Sequence, residues 1–322
     1  MTRLALAVAI ALACPLAGAR GEDEIPRPSS LPVNAPVECE ADSADASSLE
    51  VQPPGRTRRL FDPRTMRLSG AMLAAVPVGG YLVWWRGKDL TNFRVEQEGW
   101  FGTNGYAGGA DKAGHLYATA LAGDLMQRFY VRLGHTPSDA RWLSIGAVTI
   151  GGLLIEAGDG FKYGGASPED VAMNLAGGII GAQIAFHGRE NLLGLRYGQV
   201  SNRRQPRDGP PLEHYSREIS AFDFKFAGLV DTPLSRAPGR FLMLSLTYGS
   251  RGYRELPPDQ RERNVGLELG LNIPEILRWA GVPEDGLLWW VHALFRFVRV
   301  PFTAIGWHYD LDHSRWHGPS SR

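Results

Sequence analysis

A chain of 322 residues is long enough for one large domain or two ordinary ones, and its 34 basic and 34 acidic residues leave no net charge. That balance removes the clustered basic footprint that a nucleic-acid partner requires. The 39 glycines and 9 tryptophans are generous for this length and suit close helix packing and aromatic anchoring at a membrane interface.

The chain opens like an export signal. Arg3 supplies a positive start, Leu4 to Leu12 a short apolar core, and Ala17-Gly18-Ala19 a small-residue cleavage site, so residues 1–19 are expected to be removed. Lipoprotein processing at Cys14 is the alternative, although Ala11-Leu12-Ala13 departs from the usual Leu-first pattern and Pro15 follows directly. After cleavage only Cys39 remains, and one cysteine makes no internal disulfide. Residues 20–60 hold Glu, Asp, Ser and Pro with few large apolar side chains and read as a disordered spacer.

Residues 61–200 are expected to form a helical bundle of about four apolar helices. Leu68 to Trp85 is apolar apart from Ser69 and is flanked by Arg67 and Arg86, with Tyr81, Trp84 and Trp85 near one end. At about 18 residues it reaches the lower limit for crossing a hydrocarbon core, whereas Pro77 and Gly79-Gly80 suit a buried core helix. A polar loop with Phe93 and Trp100 and a Gly-rich lead-in follow. Helices are then predicted from Asp111 to about Leu133, from about Arg141 to Asp159 before a terminating Gly160, and from Pro168 to Phe186. Ser167-Pro168-Glu169-Asp170 marks the last of these with an N-cap, a proline in the first turn and early acids. Short connections make these helices antiparallel neighbours.

Residues 201–211 read as a basic, Pro-rich linker, and 212–322 as an antiparallel β-rich region with one or two amphipathic helices. The overall expectation is an α+β chain. Phe222, Phe224 and Phe226 alternate with Asp223 and Lys225; Leu242, Leu244, Leu246 and Tyr248 form a second alternating set; Val265, Leu267, Leu269, Leu271 and Ile273 form a third. Such a period of two predicts strands with one buried face. Leu287 to Val300, with His292, Arg296 and Arg299 spaced for one side, predicts an amphipathic helix resting on a membrane or on the bundle. Ala304 to Tyr309 predicts a last strand, and His308, His313 and His317 are read as an exposed polar tail.

Three polar signatures stand out inside the apolar helices: DKAGH (111–115), EAGDG (156–160) and SPEDVAMNLAGG (167–178). Asp111 and His115 share a helix face, as do Asp170 and Asn174, while Glu156 and Asp159 share another. In an up-down arrangement the start of one helix, the end of the next and the start of the third lie at one end of the bundle, so all six residues converge there. Asp124, Arg128 and His187 fall at the other end. Asp111, His115, Glu156, Asp159 and Asp170 form a donor set that a divalent metal would accept, and His115, Glu156 and Asp159 could serve as catalytic acid and base. Against this stands a structural account: Asp111 and Asp170 are helix-start acids, Asp170 completes a capping box, Asp159 precedes a C-terminal Gly, and Asn174 with His115 closes a hydrogen-bond network. Lys112 is expected to be solvated or to snorkel. No Gly-rich phosphate loop, GxSxG, HExxH or paired CxxC is present.

With these motifs in hand, the sequence resembles the YfiM-like family of predicted periplasmic lipoproteins, a domain of unknown function. The likeness runs from Trp100 through the motifs to LSLTYGSRGY (244–253), RNVGLELGLNI (263–273) and VPFTAIGWHYD (300–310). The helical part also looks distantly like VanZ-type membrane domains, which share the Asp/His start, the helix-end Glu and a DxxxNxxG helix. The resemblance implies export and a cell-envelope, periplasmic location, and it implies no reaction. The expectation is a membrane-associated structural or assembly protein. The alternative is a metal-assisted or acid-base hydrolase or transferase acting on membrane lipids or lipid-linked envelope components.

Overall fold

In the computed structural model, residues 60–162, 164–199, 215–253, 256–284, 286 and 288–321 are described. The expected signal peptide, Cys14, Cys39, the spacer and the 201–211 linker lie outside these residues.

The first helix, α1 (Pro63–Gly80), starts where the Asp62 carboxylate accepts from the backbone N–H groups of Arg64 and Thr65, with proline in the first turn. It continues past Pro77 into a π-helical turn over Tyr81–Trp85, which ends as Arg86 turns extended. Helices α2 (Ala110–Arg132), α3 (Pro137–Gly160) and α4 (Pro168–Phe186) follow. Thr136 caps α3 and Ser167 caps α4, each accepting an N–H three residues on.

Helices α2 and α4 pack with their backbones in close approach. A Cβ at Gly177 or Gly181 would fall onto the α2 backbone carbonyls of Leu116 or Ala120, and one at Gly123 would strike Gly178 of α4. Glycine at these places lets the two backbones touch. The apolar core between helices gathers Met126, Phe129, Tyr130, Ala140 and Val148, with Leu68 and Met72 of α1 packed against it.

The second half builds six strands in sequential order, all antiparallel: β1 (Leu193–Gln199), β2 (Glu218–Lys225), β3 (Leu242–Arg251), β4 (Glu262–Leu271), β5 (Ala304–Asp310) and β6 (Arg315–Ser321). Two helices, α5 (Ile273–Trp279) and α6 (Leu288–Phe297), sit between β4 and β5. Past α6, Val298 bridges Tyr197 of β1, and the Arg299 N–H donates to the Tyr197 carbonyl at 2.9 Å. The chain therefore crosses from the β1 edge to the far side of the sheet, and Arg299 lies beyond the helix that the sequence assigns to it. The expected polar tail is β6, and His308 is buried in β5 with its Nε2 2.9 Å from Glu268 Oε1, so the exposed-tail reading fails for it.

The strands do have one buried face, and it is the polar one. Register partners share a face in an antiparallel pair. Asp223, Ser245 and Glu268 form one such row, and they are buried together with Thr247, Asn264, His308 and Asp310. The other face carries the row Phe222, Leu246, Leu267 and Trp307, all exposed. Its acids are paired, while Arg299 Nε and Nη1, His308 Nδ1 and Asn264 Oδ1 find no hydrogen-bond partner among the described residues. Arg196 makes a two-pronged ion pair with Asp223 at 2.6 and 3.0 Å, Ser245 donates to Asp223, and Arg299 and His308 hold the two Glu268 oxygens. Glycines complete this face: a Cβ at Gly266 would strike the His308 ring and Thr247, and one at Gly198 would strike Arg299.

Helix and sheet are joined where α2 begins. Ala107, Gly108 and Gly109 run in the left-handed region, with φ of 48°, 61° and 88°. A Cβ at Gly108 would enter the Tyr253 ring and one at Gly109 would meet Phe101, so both the conformation and the space call for glycine. Tyr248 and Ser250 of β3 donate to the Gly108 and Ala107 carbonyls, and Tyr117 of α2 stacks on Tyr197 of β1 with ring centroids 5.2 Å apart.

Candidate functional site

The first turn of α2, the last turn of α3 and the first turn of α4 meet around His115. Its Nδ1 lies 3.1 Å from Asn174 Oδ1 and 3.8 Å from Glu156 Oε1; its Nε2 lies 3.8 Å from Asp111 Oδ2 and 3.9 Å from Asp170 Oδ2. Spacing on the helices explains the two α2 positions, since four residues bring Asp111 and His115 to one face. Glu156 ties the helix ends together. One oxygen accepts the Ser167 N–H at 3.2 Å, holding the residue that caps α4, and the other accepts from Asn174 at 3.4 Å. Asp159, on the same last turn, accepts from the Trp85 indole at 2.7 Å, so the end of α3 also holds the π turn after α1. Gly158 makes room for that indole, because a Cβ there would overlap the Trp85 ring.

Three members of this cluster are not anticipated by the helix spacing. Lys112 is fully buried, and its ammonium contacts Asp170 at 2.8 Å, Asp111 at 3.2 Å and Glu98 at shorter range. The expectation of a solvated or snorkelling lysine is therefore overturned. Three carboxylates surround that ammonium, and together they offset the cost of taking it from water. Glu98 comes from the loop before α2. Tyr215, in the turn before β2, donates its hydroxyl to Asp111 Oδ1, so the sheet half also touches the layer. The only sequence signal for Lys112 is its position beside Asp111 in the first helical turn; nothing in the local pattern marks Glu98 or Tyr215.

The electrostatics follow from burial opposed by pairing. His115 loses hydration, which disfavours its cation, but Asp111, Asp170 and Glu156 outweigh that loss and raise its pKa to about 9. Burial raises Glu98 to about 7 in spite of the Lys112 hydrogen bond, and raises Glu156 to about 7 in spite of His115. Asp111 is buried too, yet His115, Lys112 and the Tyr215 hydroxyl hold its pKa below the ordinary value. Burial opposes the Lys112 charge, and Asp111 and Asp170 more than restore it. At neutral pH the cationic His115 and Lys112 thus face the carboxyl groups of Asp111 and Asp170.

Asp111, His115 and Asp170 offer ligand atoms that all lie within 4.8 Å of one another, a spacing that one small cation could bridge. A second group, Glu262, Asp310 and His313, meets the same distance test, but Arg315 reaches both of its acids and His313 is hydrogen-bonded to Asp310. At the far end of the bundle Asp124 pairs with Arg128 at 3.1 Å and Arg296 at 3.2 Å, and a small cavity lies there beside Lys225. Two described helices, spanning Pro63–Trp85 and Pro137–Gly160, are long and apolar enough to cross a membrane by length and composition alone.

Residues 97–185, the stretch that holds all three signatures, match a family model described as predicted periplasmic lipoprotein (DUF2279). No curated protein and no solved structure matches the chain. The matched description supports an exported, periplasmic protein of the cell envelope, lipoprotein-like in character, and assigns it no biochemical role.

Proposed function

We propose that the chain is a membrane-associated structural or assembly protein of the envelope, in which the helix-end cluster acts as a charge lock. The observation that carries this reading is Lys112. Its fully buried ammonium already stands where an exogenous cation would neutralise Asp111 and Asp170, and Glu98 joins it from outside the three helices. Every neighbour has a structural role, for Glu156 grips the start of α4, Asn174 orients His115, Asp159 holds Trp85, and Tyr215 ties the sheet to Asp111. In this reading residues 61–200 and 212–322 form the helical and β-rich halves, joined through 201–211, with β1 lent to the sheet from the helical side. The YfiM-like and distant VanZ-like likeness of the motifs fits it. Alanine or glutamine at His115 and Glu156 is expected to lower thermal stability in step with any envelope phenotype. A fully stable variant that loses the phenotype overturns the charge lock.

One observation favours a second reading, a metal-assisted or acid-base hydrolase or transferase on lipid-linked substrates. The His115 Nε2 stands 3.8 and 3.9 Å from two carboxylates, too far for hydrogen bonds and suitable for a shared divalent ion held by Asp111, His115 and Asp170. Glu156 would then be the nearest base. Elemental analysis of protein purified without chelator tests this; a metal-free protein whose stability ignores added zinc removes it.

A further inference from the structure

We infer that the outward face of β2–β5 is a lipid-contacting surface, meeting one leaflet of a bilayer through rows of leucine and phenylalanine. The inference deepens the membrane-associated reading by naming the surface, and it rests on that reading.

The sheet is built inside out for water. Along β3 and β4 the exposed positions are Leu244 and Leu246, and Leu267, Leu269 and Leu271, while Ser245, Thr247, Asn264 and Glu268 alternate with them and are sealed beneath. Leu246, Trp307 and Ile305 are each more than half exposed, at 56%, 52% and 52%. Exposing such side chains to water costs about 25 cal/mol per Å², and a chain that can place polar residues outward gains nothing by inverting them. Inversion is favourable where the exterior supplies no hydrogen bonds. The buried face is equipped for that setting, since Asp223, Glu268 and Asp310 all find partners inside the protein.

The face is also graded. Reading β4 from Leu271, three leucines precede the row Val265, Tyr309 and Trp316, with Trp316 exposed, while Tyr248 of the same row donates to the Gly108 carbonyl and Arg263 beyond it is held by Asp312. Hydrocarbon-loving and then amphipathic aromatic groups are the order found from the inside of a leaflet toward its headgroups. At ~3.3 Å per residue the leucine rows cover about 13 Å, close to one leaflet's share of a ~30 Å hydrocarbon core and well short of the ~25 Å apolar band of spanning barrels. No strand pairs with the outer edge of β6 among the described residues, and hydrocarbon does not satisfy an open edge, so the face rather than the edge meets the lipid. A second copy is a poorer occupant. Four strands ~4.8 Å apart over six residues give a footprint of roughly 400 Å², below the ~800 Å² per partner of a standard interface.

The test uses the full chain with Cys14 and Cys39 replaced by serine, carrying single spin-labelled cysteines at Leu246, Leu269 or, as a reference, Gln260. In vesicles of phosphatidylethanolamine and phosphatidylglycerol, labels at 246 and 269 are expected to gain accessibility to oxygen and lose it to a polar nickel chelate at least fivefold, with Gln260 unchanged. Brominated lipid added to protein without labels should quench fluorescence less once Trp307 and Trp316 are changed to phenylalanine. If the protein floats with vesicles but labels 246 and 269 stay open to the chelate, the surface is wrong and membrane association survives. If it does not float at all, both fail. Dipolar coupling between 246 labels without lipid overturns the proposal in favour of a second copy.

Discussion

His115 predicts an unusual pH dependence of stability. Its folded pKa of about 9 stands above the ordinary 6.5, so the folded state holds a proton that the unfolded chain releases sooner. The stabilisation is fully present below 6.5 and is lost as pH rises through 9. A difference of about 2.5 in pKa at ~1.36 kcal/mol each gives roughly 3 kcal/mol, or several degrees in Tm, across that window. Glu98 and Glu156, both raised from 4.5 to about 7, act with the same sign at lower pH, so stability should already fall between those values. Asp111, lowered, adds stability only above its ordinary acid range and is flat here. Thermal unfolding of the full chain at half-unit steps from pH 6 to 9.5 checks this against His115→Gln, which keeps a hydrogen bond toward Asn174 but cannot hold the proton. The wild-type curve should fall and the variant curve should flatten above pH 7. Parallel curves refute the reasoning, and a wild-type curve that rises with pH only when zinc is present shows His115 serving as a neutral ligand instead.

The Lys112→Met variant leaves the cluster's carboxylates without their buried cation and should cost about 3–5 kcal/mol at pH 7, with partial recovery at pH 5 as the acids protonate, measured by denaturant unfolding. Changing Gly181 to Ala drives a methyl into the Ala120 carbonyl and should destabilise by about 1–3 kcal/mol through separation of α2 from α4, whereas Gly146→Ala, where a Cβ meets nothing, should be neutral or slightly stabilising. Arg299→Met removes a guanidinium from Glu268 and should cost about 3–5 kcal/mol; His308 alone then faces that carboxylate, and the loss should shrink on acidification. Trp85→Phe frees the Asp159 carboxylate and should loosen the π turn from α3, seen as faster amide exchange at Tyr81–Trp85 with little change elsewhere.

The helix-end layer is legible because two simple rules coincide in it. Residues four apart share a helix face, and short connections bring alternate helix ends together, so spacing alone places His115 beside Asp111, Glu156, Asp170 and Asn174. Asp159 shows the limit of that rule. It shares a face with Glu156, yet its carboxylate accepts from an indole outside the three helices, a contact that spacing along them does not announce. Lys112, Glu98 and Tyr215 show a second limit. A lysine next to an acid in a first helical turn normally lies in water, and only the arrival of a loop glutamate and a tyrosine from the sheet half closes the shell that makes burial favourable. Those contacts span 14 and 104 residues of chain, beyond the reach of any local pattern.

The strands carry the deeper lesson. Alternation along Val265, Leu267, Leu269 and Leu271 establishes that two faces differ, and it is silent on which one the protein encloses. Assigning the apolar set to the interior assumes water outside. Four residues of the opposite set contradict that assignment together: Glu268 is matched by Arg299 and His308, Asp223 by Arg196 and Ser245, Asp310 by His313 and Arg315, and Gly266 leaves the space that the His308 ring occupies. A buried charge without partners costs several kcal/mol, so a sequence enclosing this many acids must also encode their partners. Arg196 and His308 are therefore the sequence evidence for the inversion, as ionisable residues at in-register polar positions of strands whose other face is apolar, and Arg299 joins them from the connection before β5. Reading acids and bases as pairs across strands, rather than apolar residues along one strand, is what distinguishes an enclosed polar face from a wet one.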